Sequence, residues 1–553
     1  MRVLILLFLV QLMFLQSCDQ QPSDQLKLDT IEHVLVIGVD GMSPDGIQQA
    51  HTPHLDRLRT EGAYTYQARA VLPTSSSPNW ASMIMGAGPE QHGITSNAWA
   101  RDDFTLPTNA GDEKGFFPTI FTLLHDQRPE AEVGAIYHWK DFGRLFDSTH
   151  VTYNQAPASE EETAAVAAQY IKEKKPTFCF VHLDHVDGAG HSKGHGSPTY
   201  YEAVSKADSL IGELLMAVEE AGMEESTLII VTADHGGLGF GHGGESPEEM
   251  LIPFILWGKS IKKAYSIAST VNTYDNAVTA AFALQLEIPL AWIGRPVKEA
   301  FQGSPVPKIK YPVKKLVRMP IIHPKKIGFE QAGGLFVDSL PTLNISNPNE
   351  EGQIRYTLDG TSPDKASAIF TSPFPLQQTA IVKTAIFEGD KKLSKDVTGY
   401  FRVHQPTPAH GIRYKSYIVE GMEKLPDFVS LKPASQGNTY EYSLDHLDLP
   451  QLEQIAVTME GYIEIDVAGP YQFYIASDDG SQLWVNDQLV ADNDGNHGVI
   501  ERSGTIELPK GRHLLNVKWY NSGGGMGLFT YYKGPNTPKQ LIPAEKLYLR
   551  NDK

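Results

Sequence analysis

The chain has 553 residues, of which 41% are hydrophobic and 20% charged, the make-up of folded globular protein and too much chain for one domain. A formal net charge of −19 repels nucleic acid polymers and anionic lipid headgroups, so neither is expected as a partner of the folded part. Two cysteines, Cys18 and Cys179, cannot build a disulfide framework.

At the N-terminus Met1-Arg2 precedes a nearly unbroken apolar stretch over residues 3–15, too short to span a bilayer and suited to the h-region of an export signal. It ends in Leu15-Gln16-Ser17-Cys18, which resembles a bacterial lipobox. That resemblance implies a signal peptide over 1–18, lipidation of Cys18, and an exported lipoprotein of the periplasm or cell surface, held to a membrane by its lipid alone. Cys179 lies in the apolar run Thr177-Phe178-Cys179-Phe180-Val181 and reads as a buried packing residue.

Between residues 30 and 304, apolar runs at 33–39, 132–137, 177–183, 227–232 and 252–257 read as strands. Residues 160–174 and 200–222 repeat apolar positions at helical spacing. Continuously apolar strands alternating with helices predict an α/β domain, a parallel sheet covered by helices, with functional groups at the carboxyl ends of its strands. After about Gly303, prolines and lysines crowd a connecting segment, and helical periodicity gives way to short β-rich runs with Asp-Gly, Asn-Pro and Gly-Gly turns. Residues 320–403 and 410–550 are therefore expected to form two all-β domains, which the family resemblances of residues 354–363 and 461–486 imply to be a β-sandwich and a β-barrel.

The chemistry-bearing residues sit in glycine-rich surroundings. Asp40-Gly41 follows the first strand; Pro73-Thr74-Ser75-Ser76-Ser77-Pro78-Asn79-Trp80 and a segment from Gly88 to Asn97 come next. Asp187-Gly188-Ala189-Gly190-His191, Thr232-Ala233-Asp234-His235-Gly236-Gly237 and Gly241-His242-Gly243-Gly244 complete the set. Neighbouring strand residues point to opposite faces, so Asp234 and His235 can share a metal only where the strand ends, and Gly236-Gly237 ends it. This order of motifs resembles the type I phosphodiesterase and nucleotide pyrophosphatase branch of the alkaline phosphatase superfamily, over about half of the chain.

The resemblance implies two divalent metal ions, with mixed His and carboxylate ligands favouring Zn²⁺. One would be held by Asp187, His191 and His242, the other by Asp40, Asp234, His235 and the Ser76 oxygen. Ser76 would be the nucleophile, forming a phospho-serine, and Asn97 would donate to a nonbridging phosphoryl oxygen. His242 follows His235 by only seven positions, whereas the last histidine of nucleotide pyrophosphatases generally lies much further along. His92 reads as a loop-packing residue, and Lys193 and His195 as a solvated loop. Sulfatases share the scaffold but need Arg where Trp80 stands. Ser77 and His182 occupy the places where an aromatic pair would stack a nucleotide base, so phosphomonoesters, phosphonates and lipid- or sugar-linked diesters stay open beside a nucleotide substrate.

In the C-terminal half, the run from Ile354 to Pro363 resembles the β-sandwich found at the end of chitobiases and hexosaminidases, and the run from Gly461 to Asn486 resembles the PA14 family. That second resemblance makes Asp478 and Asp479 a candidate Ca²⁺ and glycan site, with Asp492 and Asp494 nearby. A carbohydrate, or a glycan-linked phosphate ester, is then a candidate partner. The competing reading is a non-catalytic carbohydrate-binding lipoprotein, and an enzyme with accessory binding modules accounts for more of the chain.

Overall fold

The computed structural model describes residue 28 and residues 31–314, 316–324, 332–349, 351–523, 525–535 and 537–550. The lipidation site at Cys18 falls outside the described residues. Among the described residues no helix is long and apolar enough to cross a membrane.

The first domain is built on eight strands: β1 (His33–Val39), β2 (Ala63–Arg69), β3 (Val133–Tyr137), β4 (Tyr153–Gln155), β5 (Phe178–Leu183), β6 (Thr227–Thr232), β7 (Leu251–Trp257) and β8 (Tyr265–Ser266). They form one sheet in the order β4-β3-β5-β1-β6-β7-β2-β8. The five strands from β4 to β6 are mutually parallel, and every residue of β5 and β6 is buried, as helices on both faces require. The expectation of an all-parallel sheet needs one correction: β7 runs antiparallel to both β6 and β2. A continuously apolar strand reports cover on both faces and says nothing about direction. The strand β2 escaped sequence reading because Ala63-Tyr64-Thr65-Tyr66-Gln67-Ala68-Arg69 is only partly buried and carries a bulge.

The helices have the ends their sequences dictate. In Glu160–Lys174, Ser159 caps the N-terminus by accepting from Glu162 N–H, three glutamates fill the first turn, and lysines lie in the last. Its buried stripe is Ala164, Ala167, Tyr170 and Ile171. The helix Pro198–Glu220 starts at the Ser197 cap and packs against it. Cys179 is buried and free, and burial pushes its thiol pKa up.

Two further units follow, each with its own apolar core. Strands from Ile321–His323 to Val397–His404 form two sheets, and strands from Ile412–Ile418 to Leu547–Tyr548 form two more, of seven and four strands. Ion pairs tie the units together: Arg318 to Asp45 at 2.6 Å and Arg402 to Glu441 at 2.7 Å. The last unit also reaches the first, where a side chain on Gly525 would come within 3.7 Å of Phe240.

The core permits one sharp test. A Cβ on Gly38, in the middle of β1, would lie 2.4 Å from the ring of Trp80, which is fully buried and cannot yield. Gly38→Ala should cost about 1–3 kcal/mol through overpacking, read as a lower denaturation midpoint. An unchanged midpoint would contradict the packing of Trp80 against β1.

Candidate metal centre

Strands β5, β1 and β6 are adjacent and parallel, so the residues that follow them emerge side by side at one edge of the sheet. Asp40 follows β1, the helix His185–Lys193 carrying Asp187 and His191 follows β5, and Asp234 and His235 follow β6. Because β7 returns antiparallel, the whole connection from 233 to 250 stays at that same edge, and His242 with it. Ser76 reaches the edge from the other side, as the first residue of the helix Ser76–Met85 beyond β2.

Approach is close throughout. Gly41 has φ +69, and a Cβ there would sit 2.8 Å from the Asp187 side chain, so only glycine lets the β1 and β5 loops meet. His235 Nε2 lies 3.1 Å from Asp234, 3.5 Å from Asp40 and 3.4 Å from Ser76 Oγ. His191 Nε2 lies 3.0 Å from Asp187 and 3.2 Å from His242 Nε2, which is itself 3.7 Å from Asp187. The seven residues assigned to two metal sets from the sequence are thus gathered in one place, His242 included. Ligand atoms of Asp40, Asp234 and His235 lie within 4.8 Å of one another, as do those of Asp187, His235 and His242.

The histidines are oriented alike. Nδ1 of His235 meets the Gly236 carbonyl, Nδ1 of His191 the Phe240 carbonyl and Nδ1 of His242 the Thr74 carbonyl, each at 2.8 Å. A carbonyl only accepts, so each Nδ1 carries a proton and each ring turns its Nε2 into the cluster. The carboxylates add more acceptors: Oδ1 of Asp40, Oδ1 of Asp187 and Oδ2 of Asp234 are buried without a hydrogen-bond partner. Acceptors gathered this way, with almost no donors among them, are what a pair of divalent cations satisfies. The residues fit a binuclear metal site.

Titration follows from that crowding. Burial, with Asp40 and Asp187 nearby, raises the Asp234 carboxyl well above its usual range. Asp187 also meets burial, yet the His191 hydrogen bond and the charges of His235 and His242 hold it below its usual range. The same hydrogen bond, donated by His191 to Asp187, lifts His191 to about 9, so a proton can stand where the donor set would place a cation. Burial and His235 lower His242.

Asn97 Oδ1 accepts from Ser77 N–H at 2.8 Å, which leaves its Nδ2 outside that bond. His92 is buried, hydrogen-bonded to Ser82 and Ile94. His195 corrects the expectation of a solvated loop: it is buried and its ring packs 3.6 Å from Asp187. Lys193 is exposed. In the last unit, Asp479 accepts from His497 N–H with one oxygen and from the Ser522 N–H and hydroxyl with the other. Asp492 accepts from Asp494 N–H, Asp494 accepts from the N–H groups of Gly495 and Leu425, and burial beside Asp479 pushes Asp478 up to about 7. Among the described residues, the His and carboxylate groups close enough to hold a metal all lie in the first domain.

Three contacts escaped the sequence. Trp80 Nε1 donates to Asp40 Oδ2 at 3.0 Å, His182 Nε2 lies 3.4 Å from the same oxygen, and Asp184 joins Asp40 and His182 in a third cluster. Burial and Asp40 raise Asp184 to about 6. Asp184 could have been found, since like Asp40 it directly follows an apolar strand; the indole contact had no signal beyond Trp80 itself.

Residues 34–240 match the family model for type I phosphodiesterase / nucleotide pyrophosphatase, 331–398 the chitobiase/beta-hexosaminidase C-terminal domain, and 408–546 the PA14 domain. Ectonucleotide pyrophosphatase/phosphodiesterase family member 1 of Mus musculus is 27% identical over 33% of this chain and 21% of its own length. Family member 5 of Homo sapiens is 23% identical over 42% of this chain and 50% of its own. The chain thus spans between a fifth and a half of these curated relatives. A solved structure of murine ectonucleotide pyrophosphatase/phosphodiesterase 5, an inactive form in complex with AMP, aligns at 18% identity and TM-score 0.41 over 47% of this chain and 96% of that one.

Trp80→Phe keeps the ring and removes the N–H that orients Asp40. Divalent metal affinity, measured by competition with a chromophoric chelator, should fall about 10–100-fold. Unchanged affinity would show that Asp40 needs no indole support.

Proposed function

We propose that this chain is an exported hydrolase of phosphoric esters, phosphodiesterase-like, that works through a covalent phospho-serine on Ser76 beside two divalent metal ions, Zn²⁺ by its ligand set. The observation that carries the reading is the convergence of three Nε2 atoms and three unpartnered carboxylate oxygens beside a serine hydroxyl. Asp187, His191 and His242 would hold one ion, and Asp40, Asp234, His235 and Ser76 the other. When bound, the ions supply the positive charge that stabilises the serine alkoxide and the departing oxygen.

The chain's own groups supply the rest. Ser76 stands at the positive end of a ten-residue helix, which favours an anion there. Its hydroxyl lies 3.4 Å from His235 Nε2, and Ser76 is almost wholly buried. Asn97 Nδ2 is free to donate to a phosphoryl oxygen because Oδ1 is tied to Ser77 N–H. Trp80 supports this over sulfate-ester chemistry, since it fills the position of the sulfatase arginine and spends its N–H on Asp40. The apolar leader ending at Cys18 supports export and a lipid tether, and the β-units, by their resemblance, support a glycan-linked ester as a candidate substrate.

The test is hydrolysis of p-nitrophenyl esters by the chain lacking residues 1–18, with a phosphate diester, a phosphate monoester and a sulfate compared. Turnover of a phosphate ester should vanish with chelator, return with Zn²⁺ or Mn²⁺, and drop by about a thousandfold or more in Ser76→Ala. Full activity in Ser76→Ala, or hydrolysis of the sulfate alone, would overturn the reading.

A further inference from the structure

The short helix Lys140–Arg144 places Arg144 beside the nucleophile. Arg144 Nη2 donates to Ser77 Oγ at 2.9 Å and to the Asn97 carbonyl at 2.6 Å. It therefore touches the residue that follows Ser76 and the residue whose amide faces the phosphoryl position. Its Nε is buried and makes no hydrogen bond. The nearest carboxylate is Asp141, 3.6 Å from Nη1 and half exposed, too far for a hydrogen bond and too wet to cancel the charge. Trp139 lies under the guanidinium at 6.0 Å. A cation held this way, with donor capacity left over, is more than a brace for Ser77.

We propose that Arg144 recognises a second negative charge on the substrate, beyond the single charge of a simple phosphodiester. This rests on Ser76 being the nucleophile. The guanidinium fork matches phosphate and carboxylate oxygens, and its contacts with Ser77 and Asn97 set it next to the residues assigned to the phosphoryl group. Two sources share that chemistry: the dianionic phosphoryl of a monoester, and a diester whose non-leaving arm carries an anion. Ser77, fully buried beneath the guanidinium, offers no aromatic face of its own, and the Trp139 ring lies under the guanidinium, so what this wall presents first is charge.

The experiment compares the metal-loaded chain with Arg144→Gln, which keeps amide donors for Ser77 and Asn97 but no charge, and with Arg144→Lys, which keeps the charge. Substrates are p-nitrophenyl phosphate, p-nitrophenyl phenyl phosphate and p-nitrophenyl 4-carboxyphenyl phosphate. In Arg144→Gln, kcat/KM should fall about ten- to hundredfold on a doubly charged substrate and stay within about threefold on the phenyl diester, with Arg144→Lys between. A fall confined to the monoester identifies the dianionic phosphoryl, and one confined to the carboxyphenyl diester identifies the charged arm. An equal fall on all three, or none, overturns the proposal and leaves Arg144 as a brace. If the unaltered chain turns over none of them, the hydrolase reading has failed, and calorimetry with inorganic phosphate decides on Arg144 alone. Phosphate binding weakened about tenfold or more in Arg144→Gln supports it, and equal binding overturns it.

Discussion

The structure depends on a concentration of hydrogen-bond acceptors that nothing in the chain can satisfy. Asp40, Asp187 and Asp234 each keep a buried oxygen without a donor, and His191, His235 and His242 each give their Nδ1–H to a backbone carbonyl. Burying unpaired carboxylates is costly, and a cluster of them more so, as the raised Asp234 and Asp184 show. A fold keeps such a cluster where bound cations offset the cost.

Everything around the cluster serves its geometry. Three parallel neighbours in the sheet deliver Asp40, Asp187, Asp234 and His235 to one edge, and the single reversed strand keeps His242 from being carried to the other. Gly41 allows the loops to touch, Trp80 and His182 hold Asp40, and backbone carbonyls fix the three imidazoles. The last β-unit reaches toward this edge too, with Gly525 against Phe240, whose carbonyl orients His191.

Much of this was legible in the sequence, for reasons that also explain what was not. Strands β1 and β6 were bounded correctly because they are buried along their length and flanked by turns, and the helix Glu160–Lys174 because its cap and end charges are explicit. The reversal of β7 was invisible because direction leaves no mark on a strand covered on both faces. The metal residues were legible as spaced motifs, since glycine-flanked Asp and His survive as local patterns. Arg144 and Trp80 act across gaps of 67 and 40 positions, and nothing local flags such contacts. His195 was misjudged because a polar loop sequence gave no hint that its ring fills the space behind Asp187.

The most direct measurement is anomalous diffraction at the zinc absorption edge from crystals of the chain grown with Zn²⁺. Two peaks roughly 4 Å apart are expected, one about 2.0–2.2 Å from ligand atoms of Asp187, His191 and His242 and the other equally close to Asp40, Asp234 and His235. A single peak, or zinc bound only elsewhere on the surface, would contradict a binuclear centre and with it the chemistry assigned to Ser76.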